Sequence, residues 1–215
     1  MNINVYKPWK SLNWPNRISI IRLLLVAPFV ILLEDQDTWP QARYLAMGIF
    51  VLMALSDFVD GILARRLHAR TRLGAILDPL ADKVLIICSA VLLSLPQYCP
   101  PGVRLSNWVV VFIIGKDLWL ILGFLVIYLV TDKFRVHPAK AGKACTVGQV
   151  VMVMFFLAGP DINRLSAGLG SRIAMVSSWI VAGLCVLAVI VYTRTGLAFI
   201  LQEGKPLEPG ETKKP

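Results

Sequence analysis

Six long apolar stretches, separated by short polar breaks, run along this chain at approximately residues 17–34, 43–65, 74–95, 107–131, 144–160 and 172–201. Most reach the roughly 20 residues that a helix needs to cross the hydrocarbon core of a bilayer. The fifth stretch is short, ending at Gly159-Pro160, and the sixth is expected to emerge from the membrane as helix before residue 201. The pattern predicts an all-α, polytopic membrane protein: six transmembrane helices in one bundle, with a polar cavity facing the cytoplasm. The first stretch follows a basic start without a small-residue cleavage site, so it reads as a retained span. Pro100-Pro101-Gly102 marks a second turn between spans.

Composition agrees. Of 215 residues, 57% are hydrophobic and 16% charged, against about 25% charged in ordinary soluble domains. The length suits one membrane domain over 1–203, with an interfacial segment at 1–12 and a polar, Pro-rich tail at 204–215 expected to be disordered. In the first segment Tyr6 and Trp9 flank Lys7, with Lys10 and Trp14 close behind, a mixture suited to the headgroup layer. Cys88, Cys99, Cys145 and Cys185 form no CxxC and read as small apolar filler. His68 and His137 are too far apart to suggest a metal site. The net charge of +9 reads as topology and anionic headgroups rather than nucleic acid.

Lys and Arg set the orientation. With the N-terminus in the cytoplasm, the inner segments hold fifteen basic residues, and the outer ones hold only Arg43, Arg104, Arg164 and Arg172. The positive-inside rule therefore puts both termini in the cytoplasm. Glu34, Asp35 and Asp37 read as a solvated outer rim.

Against this background four aspartates stand out. Asp57 and Asp60 end the second stretch; Asp78 and Asp82 begin the third. An ionised group in a span costs about 2.5–3.5 kcal/mol on insertion scales, so it is rarely there without a partner or a task. Spacings of three and four put each pair on one helix face. Both pairs lie within about two turns of the inner boundary, joined by a loop short enough to make the two helices neighbours. Facing carboxylates repel at low dielectric, and cations relieve that repulsion. Hard oxygen ligands select Mg²⁺, Mn²⁺ or Ca²⁺, and a carboxylate-bridged pair of ions is suited to clamping a diphosphate.

Gly61, Ala64 and Gly74 continue these faces, either as close helix-packing positions or as room for a nucleotide against the backbone. Arg65 is either a snorkelling anchor or a diphosphate ligand. Pro79 removes one helix hydrogen bond beside Asp78.

The string D-x2-D-G-x2-A-R-x8-G-x3-D-x3-D, complete at Asp57, Asp60, Gly61, Ala64, Arg65, Gly74, Asp78 and Asp82, resembles the signature of the CDP-alcohol phosphotransferase family. The resemblance extends from about residue 13 to 150. Asn13, Pro15, Asn16, Ser19 and Arg22 are similar to the N-terminal motif of bacterial phosphatidylglycerophosphate synthases and their cardiolipin-synthase relatives. Leu77-Asp78-Pro79-Leu80-Ala81-Asp82-Lys83 and Gly142-Lys143 with Thr146 and Gln149 match further motifs of the same members. One departure is Gly115-Lys116-Asp117, where those synthases carry Arg-Glu or Arg-Asp.

The resemblance implies a chemistry. CDP-diacylglycerol binds with its diphosphate on one or two Mg²⁺ or Mn²⁺ ions held by Asp57, Asp60, Asp78 and Asp82. Asp82 is the implied general base: it deprotonates an acceptor hydroxyl, which attacks the lipid-side phosphorus and expels CMP. Gly61, Ala64, Arg65, Gly74 and Asn16 are the implied nucleotide and diphosphate contacts. The expected acceptor is glycerol 3-phosphate, giving phosphatidylglycerophosphate; phosphatidylglycerol, as in cardiolipin synthesis, is the alternative. Acceptor candidates are Arg70, Arg72, Lys116, Lys140 and Lys143, although the loop arginines also fit as membrane anchors and Lys116 also fits as a partner of Asp117. Lys83 is read as offsetting the aspartate cluster. Thr146 and Gln149 also fit as interhelical hydrogen-bond formers. The resemblance further implies a homodimer in the cytoplasmic (inner) membrane among its lipids, with no nucleic-acid partner. From another class, a cation transporter would hold its carboxylates near the midplane, often in related halves. Here they cluster at one edge and no internal repeat is visible.

Overall fold

The computed structural model of the protein describes residues 14–67, 74–131 and 140–203; at 14–19, 37, 57–67, 74–82, 128, 130–131, 140 and 202–203 the description is of the backbone. The expected interfacial segment at 1–12, the tail at 204–215, and Asn13, Arg70 and Arg72 lie outside the described residues. Six α-helices carry the chain: α1 (Trp14–Glu34), α2 (Ala42–Leu67), α3 (Gly74–Ser94), α4 (Asn107–Thr131), α5 (Lys140–Leu165) and α6 (Leu169–Glu203), with a short 3₁₀ turn at Asp35–Asp37. No strand occurs among the described residues. This is an all-helical polytopic membrane protein. Asn107–Ile127, Ala141–Leu165 and Leu169–Leu201 are each long and apolar enough to cross a bilayer, and Ala42–Ser56 and Lys83–Ser94 are shorter apolar helical stretches.

The six helices fall where the six apolar stretches predict, with one correction. The fifth stretch is expected to stop at Gly159-Pro160, but α5 runs through Pro160 to Leu165. A proline inside a helix forfeits one backbone bond, and tertiary contacts hold the turn that follows. Arg43, at the start of α2, donates to the Leu157 carbonyl (2.6 Å) and to Asp161 (2.9 Å), and the Tyr44 hydroxyl donates to the same carboxylate at 2.7 Å. Asn163 donates to the Ser171 hydroxyl at 3.1 Å across the α5–α6 turn. That turn is reduced to residues 166–168 and contains Gly168 at φ 75°, a left-handed conformation that glycine adopts without steric cost.

α1 packs on both α2 and α3, α6 packs on both α4 and α5, and α5 reaches α2 and α3. The core between these groups holds Phe29, Leu33, Phe50, Met53, Leu93, Ile113, Met152 and Leu157. Phe29 and Phe50 meet at 5.8 Å between ring centres. The outward faces are apolar instead of polar: Ile121, Leu125, Leu129, Trp179 and Ile180 are all exposed. A soluble bundle would cover that surface with charge; a lipid-facing one has no need to.

One end of the bundle is tied by polar contacts. Gln36 after α1 donates to the Tyr98 carbonyl after α3 at 2.6 Å, Arg104 donates back to the Ser94 carbonyl at 2.8 Å, and Ser171 donates to the Gly102 carbonyl at 2.8 Å. With the Arg43–Asp161 clamp, these put the ends of α1, α3 and α5 and the starts of α2, α4 and α6 on one face. Glu34 and Asp35 are exposed there, as a solvated rim requires. The end of α2 and the start of α3 therefore lie toward the opposite face.

Candidate functional site

The two halves of the acidic string fall on consecutive helices. Asp57, Asp60, Gly61, Ala64 and Arg65 occupy the last part of α2, and Gly74, Asp78 and Asp82 occupy the first part of α3. Both segments are continuously helical, α3 through Pro79 included, so Asp57 and Asp60 share a face of α2, and Asp78 and Asp82 share a face of α3. Asn16 and Arg22 lie on the half of α1 nearest the same end of the bundle. Arg22 is buried, 1% exposed.

Next to Asp82, the structure brings together three charged residues that the sequence places on two separate helices. Asp117 of α4 accepts from Lys83 of α3 and from Lys116 at 2.5 Å, both through the same oxygen, Oδ1. Lys116 is 4% exposed and Asp117 8%. The expectation that Lys116 and Asp117 pair with each other holds. Lys83, read from sequence as a counter-charge for the aspartates, has Asp117 as its partner. A signal for this pairing exists in the sequence. Lys83 lies eleven residues before the end of α3 at Ser94, and Asp117 ten residues after the start of α4 at Asn107, so the two opposite charges sit at similar depth.

The matched motif on α5 divides. Thr146 donates within its own helix, to the Gly142 carbonyl at 3.2 Å. Gln149 reaches across to Cys185 Sγ of α6 at 3.8 Å, an interhelical contact. Cys145 and Cys185, both buried, have sulfurs 3.5 Å apart; the four cysteines are free. Gly142 lets α5 approach α6, since a Cβ there would lie 2.5 Å from the Tyr192 hydroxyl. Lys143 is exposed at this end of α5, and Lys140 begins the helix. The Arg43–Asp161 clamp and the thiol pair have no local pattern in the sequence, since they join residues 118 and 40 positions apart.

An α-helical membrane bundle with acidic pairs on two consecutive helices is the class that this geometry defines. Residues 12–191 match the model of the CDP-alcohol phosphatidyltransferase family, and the chain belongs to that family. Its members are in general dependent on divalent metals. Among its relatives, one from Escherichia coli (strain K12) is 40% identical over 163 residues, covering 73% of this chain and 83% of the relative. One from Aquifex aeolicus (strain VF5) is 38% identical over 137 residues, covering 63% and 70%. One from Pseudomonas fluorescens is 27% identical over 209 residues, covering 90% and 95%. All three are named CDP-diacylglycerol–glycerol-3-phosphate 3-phosphatidyltransferase.

Proposed function

We propose that this protein transfers a phosphatidyl group from CDP-diacylglycerol to glycerol 3-phosphate, releasing CMP and forming phosphatidylglycerophosphate. The observation that carries the reading is the complete acidic string on the last part of α2 and the first part of α3, at the same end of the bundle; the names of the relatives support the acceptor. The donor set fits a hard divalent cation: four carboxylates, two at helical spacing on each helix, in a span where unpaired charge is costly. Asp57, Asp60, Asp78 and Asp82 would hold one or two Mg²⁺ or Mn²⁺ ions, which supply charge neutralisation of the diphosphate.

In this reading the chain's own groups do the rest. Asp82 takes the proton of the acceptor hydroxyl. The hydroxyl oxygen then bonds to the lipid-side phosphorus, and the bond from that phosphorus to the bridging oxygen breaks, releasing CMP with its electron pair. Gly61, Ala64 and Gly74 leave room for the nucleotide, and Arg65 and Asn16 contact it. Lys116, Lys143, Lys140, Arg70 and Arg72 provide positive charge for the acceptor. Lys116 is the strongest of these, since it is buried beside Asp82's helix. The bundle has six spans over 1–203 in the inner membrane with both termini and the site cytoplasmic, in line with the Lys and Arg distribution. It pairs as a homodimer, a state that sedimentation in detergent measures directly.

Purified protein given CDP-diacylglycerol and Mn²⁺ is expected to release CMP with glycerol 3-phosphate. Release only with phosphatidylglycerol would transfer the reading to cardiolipin synthesis, the second reading that the Lys116-Asp117 departure keeps in view. No release with either, or with inositol phosphate or serine, would refute the activity.

A further inference from the structure

Two ammonium groups converge on one carboxylate oxygen in the middle of the bundle: Lys83 reaches Asp117 across helices, and Lys116 reaches it from the preceding position. Lys116 is almost fully enclosed, with 3% of its side chain exposed, whereas Lys83 keeps 42%. Asp117 is thus shared by two ammonium groups, and its carboxylate fixes where the enclosed Lys116 ammonium lies.

The seam between α3 and α4 is thin. Outward of the triad the two helices diverge around an apolar groove of about 430 Å³ lined by Val91, Val110, Ile114 and Gly115. Besides the Arg104–Ser94 and Leu105–Leu93 hydrogen bonds at the outer end, the Lys83–Asp117 pair joins the two helices on the other side of this groove, one residue from Asp82.

We infer that Asp117 is a positioning residue for the acceptor's anionic phosphate: it holds the Lys116 ammonium in a fixed place and links α4 to α3 at the level of Asp82. The inference rests on the reading of this protein as a transferase to a phosphate-bearing acceptor. Without the carboxylate, Lys83 is free to swing toward solvent, whereas Lys116 stays enclosed but loses the group that aims it. CDP-diacylglycerol, bound through the α2–α3 aspartates, does not depend on that aim.

The test is a KM split. Wild type is first assayed with glycerol 3-phosphate and, separately, with phosphatidylglycerol; activity with only the second refutes the acceptor choice and moves the Asp117 test to that substrate. For Asp117→Asn, the KM of the acceptor is expected to rise about tenfold or more, with the KM of CDP-diacylglycerol within about twofold of wild type. Asp117→Glu, which keeps the charge, is expected to return the acceptor KM to within about threefold. An unchanged acceptor KM in Asp117→Asn overturns the proposal. So does a parallel rise of both KM values with a lowered melting midpoint, which is the mark of a merely structural role. If Asp117→Asn does not fold, Lys83→Met decides: an acceptor KM raised about two- to fivefold supports the tie, and an unchanged one refutes it.

Discussion

Asp57→Ala and Asp82→Asn are each expected to release CMP at about a thousandth of the wild-type rate or less, in protein that still purifies as a folded bundle. The two substitutions act differently. Asp57→Ala removes one oxygen donor from the proposed cation site, so the diphosphate loses part of the charge that neutralises it. Asp82→Asn keeps the shape of the side chain but leaves nothing to accept the hydroxyl proton, and general-base catalysis alone contributes about 10²–10⁴-fold. Both residues lie in helices that are mostly apolar, and removing a charge from a span lowers its insertion cost. Loss of activity is therefore not expected to come with loss of fold. CMP release is read against the melting midpoint of the same samples; near-wild-type turnover in both variants would relocate the chemistry.

The largest stability effect is expected at the other end of the molecule. Arg43 is buried, donates to the Leu157 carbonyl and the Asp161 carboxylate, and stacks 4.7 Å from the centre of the Tyr44 ring. Arg43→Ala removes both hydrogen bonds and leaves Asp161 with Tyr44 and the more distant Arg164 at 3.6 Å. Hydrogen bonds to charged groups contribute about 1.5–3 kcal/mol each, and a stranded buried partner adds to the loss. A destabilisation of about 2–4 kcal/mol is expected, with CMP release at permissive temperature within about threefold of wild type, since the clamp lies across the bundle from the aspartates. An unchanged denaturation midpoint would mean that α2 and α5 are held by apolar packing alone.

These expectations draw unequally on sequence and structure. The helices were legible because most of the apolar stretches approach the length a bilayer demands, and their ends are marked by charge or by turn formers such as Pro100-Pro101-Gly102. Gly102 has a φ of 76°, a conformation that suits glycine at that turn. The acidic pairs were legible because i, i+3 and i, i+4 spacing is local information. The end of α5 was not: a Gly-Pro pair ordinarily stops a helix, and what overrides it is a clamp from Arg43, 118 positions away in sequence from Asp161. Lys83 was read as balancing the nearest acids in sequence because the sequence does not reveal which helix faces α3. Only the fold brings Asp117 into reach.

The most direct test is Mn²⁺ binding, followed by electron paramagnetic resonance on the purified protein in detergent with CDP-diacylglycerol present. Wild type is expected to bind one or two Mn²⁺ ions, and Asp57→Ala and Asp78→Ala to lose at least one of them. Undiminished Mn²⁺ binding in both variants, or none in the wild type, would contradict the claim that the carboxylates of α2 and α3 hold the cation on which the transfer depends.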